Sequence, residues 1–288
     1  MLTADRGRRL KRVIDLHNAR FEERYLEVAP QSAQLVIADL NYGITDAEWD
    51  ARQNLDDFWM AADHVLSPSG VVAVFASGTF TFDVYNSRPN WYRYDMPWIK
   101  NKSTGFLNAA KRPLLRHEWV LIFSASKNGF YNPVPTYSPT KSARAHRKAP
   151  RSAIYGGEDR PTTYKGKSNF RNPTTVLEFD VVNNDSPDRI HSFQKPVRLI
   201  ARLLELYTRP NDLVVDFTFG SGATAVACIQ KGRNFWGCEE MEKHYTPATK
   251  WINRILAAYD GTSMACATGV VNTALNFGLF SSLEDNYE

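Results

Sequence analysis

The stretch Leu213-Val214-Val215-Asp216-Phe217-Thr218-Phe219-Gly220-Ser221-Gly222-Ala223 decides how this chain folds. An apolar run ends on a carboxylate, a turn with two glycines follows, and the helical pattern Ala223 to Gln230 begins at once. Strand, glycine turn and helix in that order is how α/β proteins set backbone N–H groups and a helix N-terminus against a nucleotide-like ligand. Gly220 and Gly222 permit close backbone approach, because glycine carries no Cβ. Glu239 lies 23 residues beyond Asp216, at the end of the apolar run Phe235-Trp236-Gly237-Cys238. That is near the roughly 20-residue spacing at which a carboxylate grips ribose hydroxyls in nucleotide-binding βαβ units. A nicotinamide site fits less well, since Phe219-Gly220-Ser221-Gly222 lacks the third glycine of that fingerprint.

Far upstream, Asp39-Leu40-Asn41-Tyr42 follows the apolar run Leu35-Val36-Ile37-Ala38. It again ends a strand-like run on a carboxylate. An acceptor beside an aromatic face suits a flipped-out nucleic-acid base. Strand-like runs at 35–39, 71–76 and 119–124 alternate with helical patterns at Asp56 to Leu66 and Val197 to Tyr207. This alternation predicts an α/β fold with a doubly wound, mostly parallel sheet. Residues 1 to about 30 read as helical and charged, ending at Pro30. The region 127–175 changes character, with six prolines and many Ser, Thr and Gly, and its part from Lys141 to Arg171 holds nine Lys or Arg against Glu158 and Asp159. We read 1–126 and 176–260 as one catalytic domain, 127–175 as an insertion, and 261–288 as a loosely ordered tail.

Composition bounds the rest. A chain of 288 residues, 43% hydrophobic, can bury one sizeable core. A net charge of +4 permits a polyanionic partner without requiring one. Cys228, Cys238 and Cys266 show no paired spacing, so no disulfide framework and no metal site is expected. No apolar run approaches the roughly 20 residues that span a bilayer, and the Arg-rich N-terminus is not a secretory signal. A cytoplasmic protein without a membrane partner is the expectation.

Taken in order, these motifs resemble those of amino-methylating DNA methyltransferases that use S-adenosylmethionine, of the permuted kind with the catalytic motif ahead of the cofactor motif. Asp39 to Tyr42 is similar to the family's Asp-Pro-Pro-Tyr, and His191-Ser192-Phe193-Gln194-Lys195-Pro196 to its His-Pro-x-Gln-Lys-Pro segment. Gly220-Ser221-Gly222 resembles the cofactor loop, and Gly237-Cys238-Glu239 the acidic strand end after it. The run from Arg93 through Trp98, Lys100, Thr104 to Ala109, Pro113-Leu114 and His117-Glu118 is similar to phage-encoded members.

The resemblance implies a seven-stranded Rossmann-like sheet, S-adenosylmethionine as cofactor and double-stranded DNA as partner, and it leaves room for a homodimer. Asp216, with Phe217, Gly220, Ser221 and Gly222, would meet the amino-acid end of the cofactor, Glu239 its ribose, and Phe193 and Lys195 its methionine side. Asp39 and the carbonyl of Leu40 would accept hydrogen bonds from the base amino group while Tyr42 stacks on the ring. Leu40 and Asn41 stand where the family has prolines. Losing the proline constraint at Asn41 should loosen the loop by about 0.4–1 kcal/mol of chain entropy.

Cations interleaved with aromatics, among them Arg93, Lys100, Lys111 and Arg116, suit phosphate contacts and stacking or wedging around an extruded nucleotide. Arg144, Arg147, Lys148, Arg151, Lys165 and Lys167 in the basic insertion are the candidates for target recognition. His117-Glu118, with no His or Cys cluster nearby in sequence, is given a structural or loop-orienting role. Adenine is the expected base, on resemblance to phage adenine-modifying relatives. The alternatives are amino-cytosine methylation, RNA as substrate, and a DNA-binding relative whose catalysis Asn41 has weakened.

Overall fold

A computed structural model describes residues 13–42, 53–145 and 164–259. Among the described residues there are ten strands and six α-helices. They are β1 (Ile14–His17), α1 (Phe21–Arg24), β2 (Ala33–Ala38), α2 (Leu55–Val65), β3 (Leu66–Ala76), α3 (Phe80–Ser87), β4 (Tyr92–Thr104) and β5 (Leu115–Phe123). There follow β6 (Thr136–Ala145), β7 (Tyr164–Arg171), β8 (Leu177–Glu178), α4 (Val197–Tyr207), β9 (Leu213–Asp216), α5 (Ala223–Lys231), β10 (Asn234–Cys238) and α6 (Glu242–Tyr259).

Eight strands form one sheet in the order β1-β10-β9-β2-β3-β5-β4-β8. The neighbours from β1 to β3 are all parallel, β5 runs antiparallel to both β3 and β4, and β8 is parallel to β4. The resemblance implied seven strands, and the two-residue β8 at the edge makes the difference.

Side chains alternate across the pleat, so each central strand feeds two cores. In β2, Leu35 and Ile37 pack with Leu199, Leu203, Val226 and Trp251 on one face. Val36 and Ala38 pack with Phe58, Trp59, Phe80 and Phe217 on the other. Such a strand, buried on both faces, reads as a continuous apolar run. The doubly wound expectation is thus met. Helix α2 starts where the sequence provides for it: the Asn54 side chain accepts from Asp56 N at 3.0 Å, with Asp56 and Asp57 in the first turn.

The N-terminal segment corrects a sequence reading. Residues 14–17 form an edge strand rather than helix, paired in parallel with β10 from Ile14↔Phe235 to His17↔Cys238. Its alternation of Ile and Leu with Asp and His was masked by the charged residues before it. Among the described residues of this segment, helix is confined to the four residues of α1 and a 3-10 turn at Tyr25–Glu27.

Chain order sets the site. From β2 the chain passes to β3 on one side, whereas β9 passes to β10 on the other, and β2 and β9 lie side by side with Ile37 opposite Asp216. The crevice outside the carboxyl ends of such a pair is where doubly wound sheets hold ligands. Asp39 and Asp216 both open onto it.

Candidate active site

A cavity of about 520 Å³ occupies that crevice, lined among others by Asp39, Tyr42, Phe193, Lys195, Asp216 and Glu239. Two motifs far apart in the chain are joined directly: the Thr218 hydroxyl donates to the Asp39 carbonyl at 3.3 Å. On the catalytic side, the Asp39 carboxylate accepts from the Lys195 ammonium at 2.6 Å on Oδ2 and from the Tyr42 hydroxyl at 3.0 Å on Oδ1. The Tyr42 ring stacks on Phe80, with centroids 5.0 Å apart. Leu40 turns its side chain into the core, and the Asn41 carbonyl accepts from Gln53 N at 3.4 Å.

Lys195 is the hub of an alternating charge chain. Its Nζ also lies 3.4 Å from Glu118 Oε2, and Lys100 pairs with the other oxygen of Glu118. Burial pushes the Lys195 ammonium down, but the Asp39 and Glu118 carboxylates outweigh it and hold its pKa above the ordinary lysine value. Burial likewise pushes Glu118 up, and Lys195 with Lys100 brings it below the usual carboxylate range. Both groups therefore stay charged across the neutral range.

At the ends of β9 and β10, hydrogen bonds fix two carboxylates. Glu239 accepts from Gly220 N at 3.0 Å and Met241 N at 2.9 Å. Asp216 accepts from Thr218 N at 3.1 Å and the Thr224 hydroxyl at 2.6 Å. Gly222, at φ 82°, caps α5 in a conformation that L side chains rarely adopt, and a Cβ there would lie 2.6 Å from Ile252 Cδ1. Burial raises the Asp216 pKa to about 7, its two hydrogen bonds ease it down, and the charges of Asp39 and Glu239 add to the rise.

Carboxylates outnumber cations around the cavity: Glu22, Asp39, Glu118, Asp216, Glu239 and Glu240 face Arg20 and Lys195 among its lining residues. A ligand bearing positive charge and ribose hydroxyls fits such a lining. S-Adenosylmethionine, with its sulfonium and α-ammonium, has that chemistry. Phe193, 58% exposed, presents an aromatic face at the rim.

Comparison with known proteins decides what the site belongs to. Residues 33–250 match the family model of DNA methylases, the N6/N4 amino-methyltransferases. The chain belongs to this DNA methylase family. It is 28% identical over 253 residues to the Type II methyltransferase M1.MboII of Moraxella bovis, covering 80% of this chain and 92% of that one. Against the Type II methyltransferase M.BglII of Bacillus subtilis the identity is 27%, covering 80% of this chain and 66% of the relative. Two solved structures share the fold. The PvuII DNA methyltransferase, described as cytosine-N4-specific, aligns with a TM-score of 0.60 and 14% identity, covering 85% of this chain and 90% of that one. The complex of M1.HpyAVI with S-adenosylmethionine gives 0.53 and 18%, covering 84% and 100%. The chain is therefore an amino-directed DNA methyltransferase that uses S-adenosylmethionine. Among the described residues, no helix of this methyltransferase is long and apolar enough to cross a membrane.

The structure redistributes several residues that the sequence grouped together. Lys100 was expected on phosphates, but it is 9% exposed and its ammonium is paired with Glu118. Arg93, also expected on DNA, spends its guanidinium on backbone carbonyls, among them Ser126 at 3.2 Å, Asn90 at 3.2 Å and Ser124. Arg116 is exposed while its Nε donates to the Lys100 carbonyl at 2.9 Å, and Lys111 is exposed. Arg144, Lys165 and Lys167 lie on the ribbon β6–β7, with Arg144 opposite Lys165 and Ala143 opposite Lys167; their side chains lie outside the described residues. Arg147, Lys148 and Arg151 also lie outside them.

Lys195, expected on the methionine side of the cofactor, places its ammonium on Asp39. Glu118, Thr218 and Thr224 are site residues that the sequence reading left without roles in the site. The available signal for Glu118 was a carboxylate directly preceding the apolar strand Trp119 to Phe123.

Proposed function

We propose that this methyltransferase methylates the exocyclic amino nitrogen of adenine, with Asp39, Leu40 and Tyr42 handling the base and Asp216, Glu239 and Phe193 the cofactor. The observation that carries the residue roles is the meeting of the two motifs in one cavity, tied by the Thr218–Asp39 hydrogen bond. Resemblance of the motifs to phage adenine-modifying enzymes supports the choice of base.

An amino nitrogen conjugated with a base is a weak nucleophile. Hydrogen bonds from it to Asp39 and to the Leu40 carbonyl favour the pyramidal nitrogen as it takes the methyl group, which stabilises the transition state more than the ground state. S-Adenosylmethionine supplies the electrophilic methyl. Lys195 holds Asp39 Oδ2, which orients the carboxylate. Tyr42 yields Oδ1 to the incoming amino group and presents its ring to the base. A proton leaves the nitrogen after transfer. Glu118 and Lys100 are positioning residues acting through Lys195. The basic ribbon β6–β7 serves target recognition.

Mass spectrometry of nucleosides from DNA of cells expressing the chain tests the base. N6-methyl-2′-deoxyadenosine is expected, and N4-methyl-2′-deoxycytidine in its place would overturn the choice of adenine while leaving the site roles standing.

A further inference from the structure

Strand β5 runs antiparallel to β3, with Ala76 opposite Trp119, so its N-terminal end points out of the sheet edge that carries the active site. The hairpin that joins β4 to β5 therefore stands beside the cavity. From Glu118, which touches Lys195, to Leu115 is three residues, roughly 10 Å of extended chain. Beyond Leu115 the hairpin turns, and at its tip Phe106 is 68% exposed and Leu107 100% exposed. This tip is ordered. Gly105, at φ 88°, starts a single helical turn, in which Asn108 N donates to the Gly105 carbonyl at 2.9 Å and Lys111 N to the Asn108 carbonyl at 2.9 Å.

The charge around the tip is one-sided. Residues 96–117 contain Lys100, Lys102, Lys111, Arg112 and Arg116 and no Asp or Glu. Lys102, Lys111, Arg112 and Arg116 are exposed. The cavity mouth itself is acidic, so contact with phosphates falls to neighbouring elements. A fixed apolar pair set among cations fits a surface that is anionic outside and apolar between its layers. Stacked base pairs flanked by phosphates are such a surface, and apolar wedges inserted at a base step are a known means of opening it.

We propose that Phe106 and Leu107 form a wedge that enters the DNA duplex beside the extruded nucleotide, with Lys111 and Arg112 on the flanking phosphates. The proposal rests on the chain's action on duplex DNA and deepens it. It would account for how the extruded base is kept out of its stack while Tyr42 and Asp39 engage it.

The test uses the full chain and 30-base-pair duplexes bearing the methylated site, mapped by sequencing DNA from expressing cells. One duplex is fully paired, and the other carries an abasic position opposite the target, which removes most of the cost of extrusion. The variant F106A/L107A is expected to lose at least tenfold in kcat/KM on the paired duplex and less than threefold on the abasic one. The conservative variant F106L/L107M is expected to recover within threefold on both, and affinity for S-adenosylmethionine is expected to be unchanged. Equal loss on the two duplexes, or no loss on either, overturns the wedge. So does conversion of a dimer to a monomer in sedimentation with an unchanged ratio between substrates, which assigns the tip to a second copy of the chain. The choice of adenine is read separately, from the nucleoside that the unaltered chain produces.

Discussion

Asp216 is the residue through which the proposed cofactor site is expected to respond to pH. Its pKa sits at about 7 in the folded chain, against about 4 for an unfolded aspartate. The folded chain thus holds a proton that the unfolded chain has released, and this group's contribution to stability is lost as pH rises from about 4 through 7. A cationic ligand favours the ionised form. The stabilisation conferred by S-adenosylmethionine, read as a shift in Tm, is expected to grow between pH 6 and 8 in the parent chain. It is expected to be flat with pH in Asp216→Asn. At the same scale, Lys195→Met leaves Asp39 without its counter-charge and is expected to lower kcat by roughly 10²–10³, the range typical of removing one electrostatic partner at a reacting centre. Glu118→Gln should cost less, and should shift the pH profile of kcat, whereas a purely structural loss would leave the profile in place. Asp39, Asp216 and Glu239 were legible in sequence because each ends an apolar run. Glu118 and the true station of Lys195 were not, since their meaning lies in pairings across the sheet.

Elements tell a similar story. Helices α2, α4 and α5 and strands β2 and β9 stood close to where periodicity and end signals put them, whereas β5 starts at Leu115, four residues before the apolar run 119–124. Strand β1 was missed because its four residues hide behind a charged run and become a strand only by pairing with β10. Arg93 and Lys100 read as phosphate contacts because they are cations among aromatics, whereas the structure gives their charged groups partners within the chain, backbone carbonyls for Arg93 and Glu118 for Lys100. Arg93→Ala is accordingly expected to destabilise the fold by about 1–3 kcal/mol, through the carbonyls it leaves unpaired. Its effect on DNA affinity should be slight, as compared by denaturant titration and a binding isotherm. The β6–β7 ribbon carries the opposite expectation. Replacing Lys165 and Lys167 by Ala should leave stability unchanged. It should also lower the slope of log K against log salt by roughly 0.9 for each phosphate contact removed.

Across the whole molecule, the order of the motifs matters more than their separation. Asp39 and Asp216 meet because β2 and β9 are neighbours at the point where the sheet reverses its winding, and a doubly wound sheet always offers its crevice there. The molecule also divides its charge. A chain of net charge +4 lines its cavity with carboxylates and gathers cations on the β4–β5 hairpin and, in its sequence, between Lys141 and Arg171. One region suits a cationic cofactor, the other a polyanion. In the proposed mechanism Asp39 and the cofactor loop act as one site, with Asp39 serving transfer and not cofactor binding. The most direct test is single-turnover methyl transfer to DNA by Asp39→Ala, measured beside its Kd for S-adenosylmethionine. A fall in transfer of roughly 10²–10³ or more is expected, with Kd within about threefold of the parent. Transfer at the parental rate, or a loss that saturating cofactor restores, would contradict it.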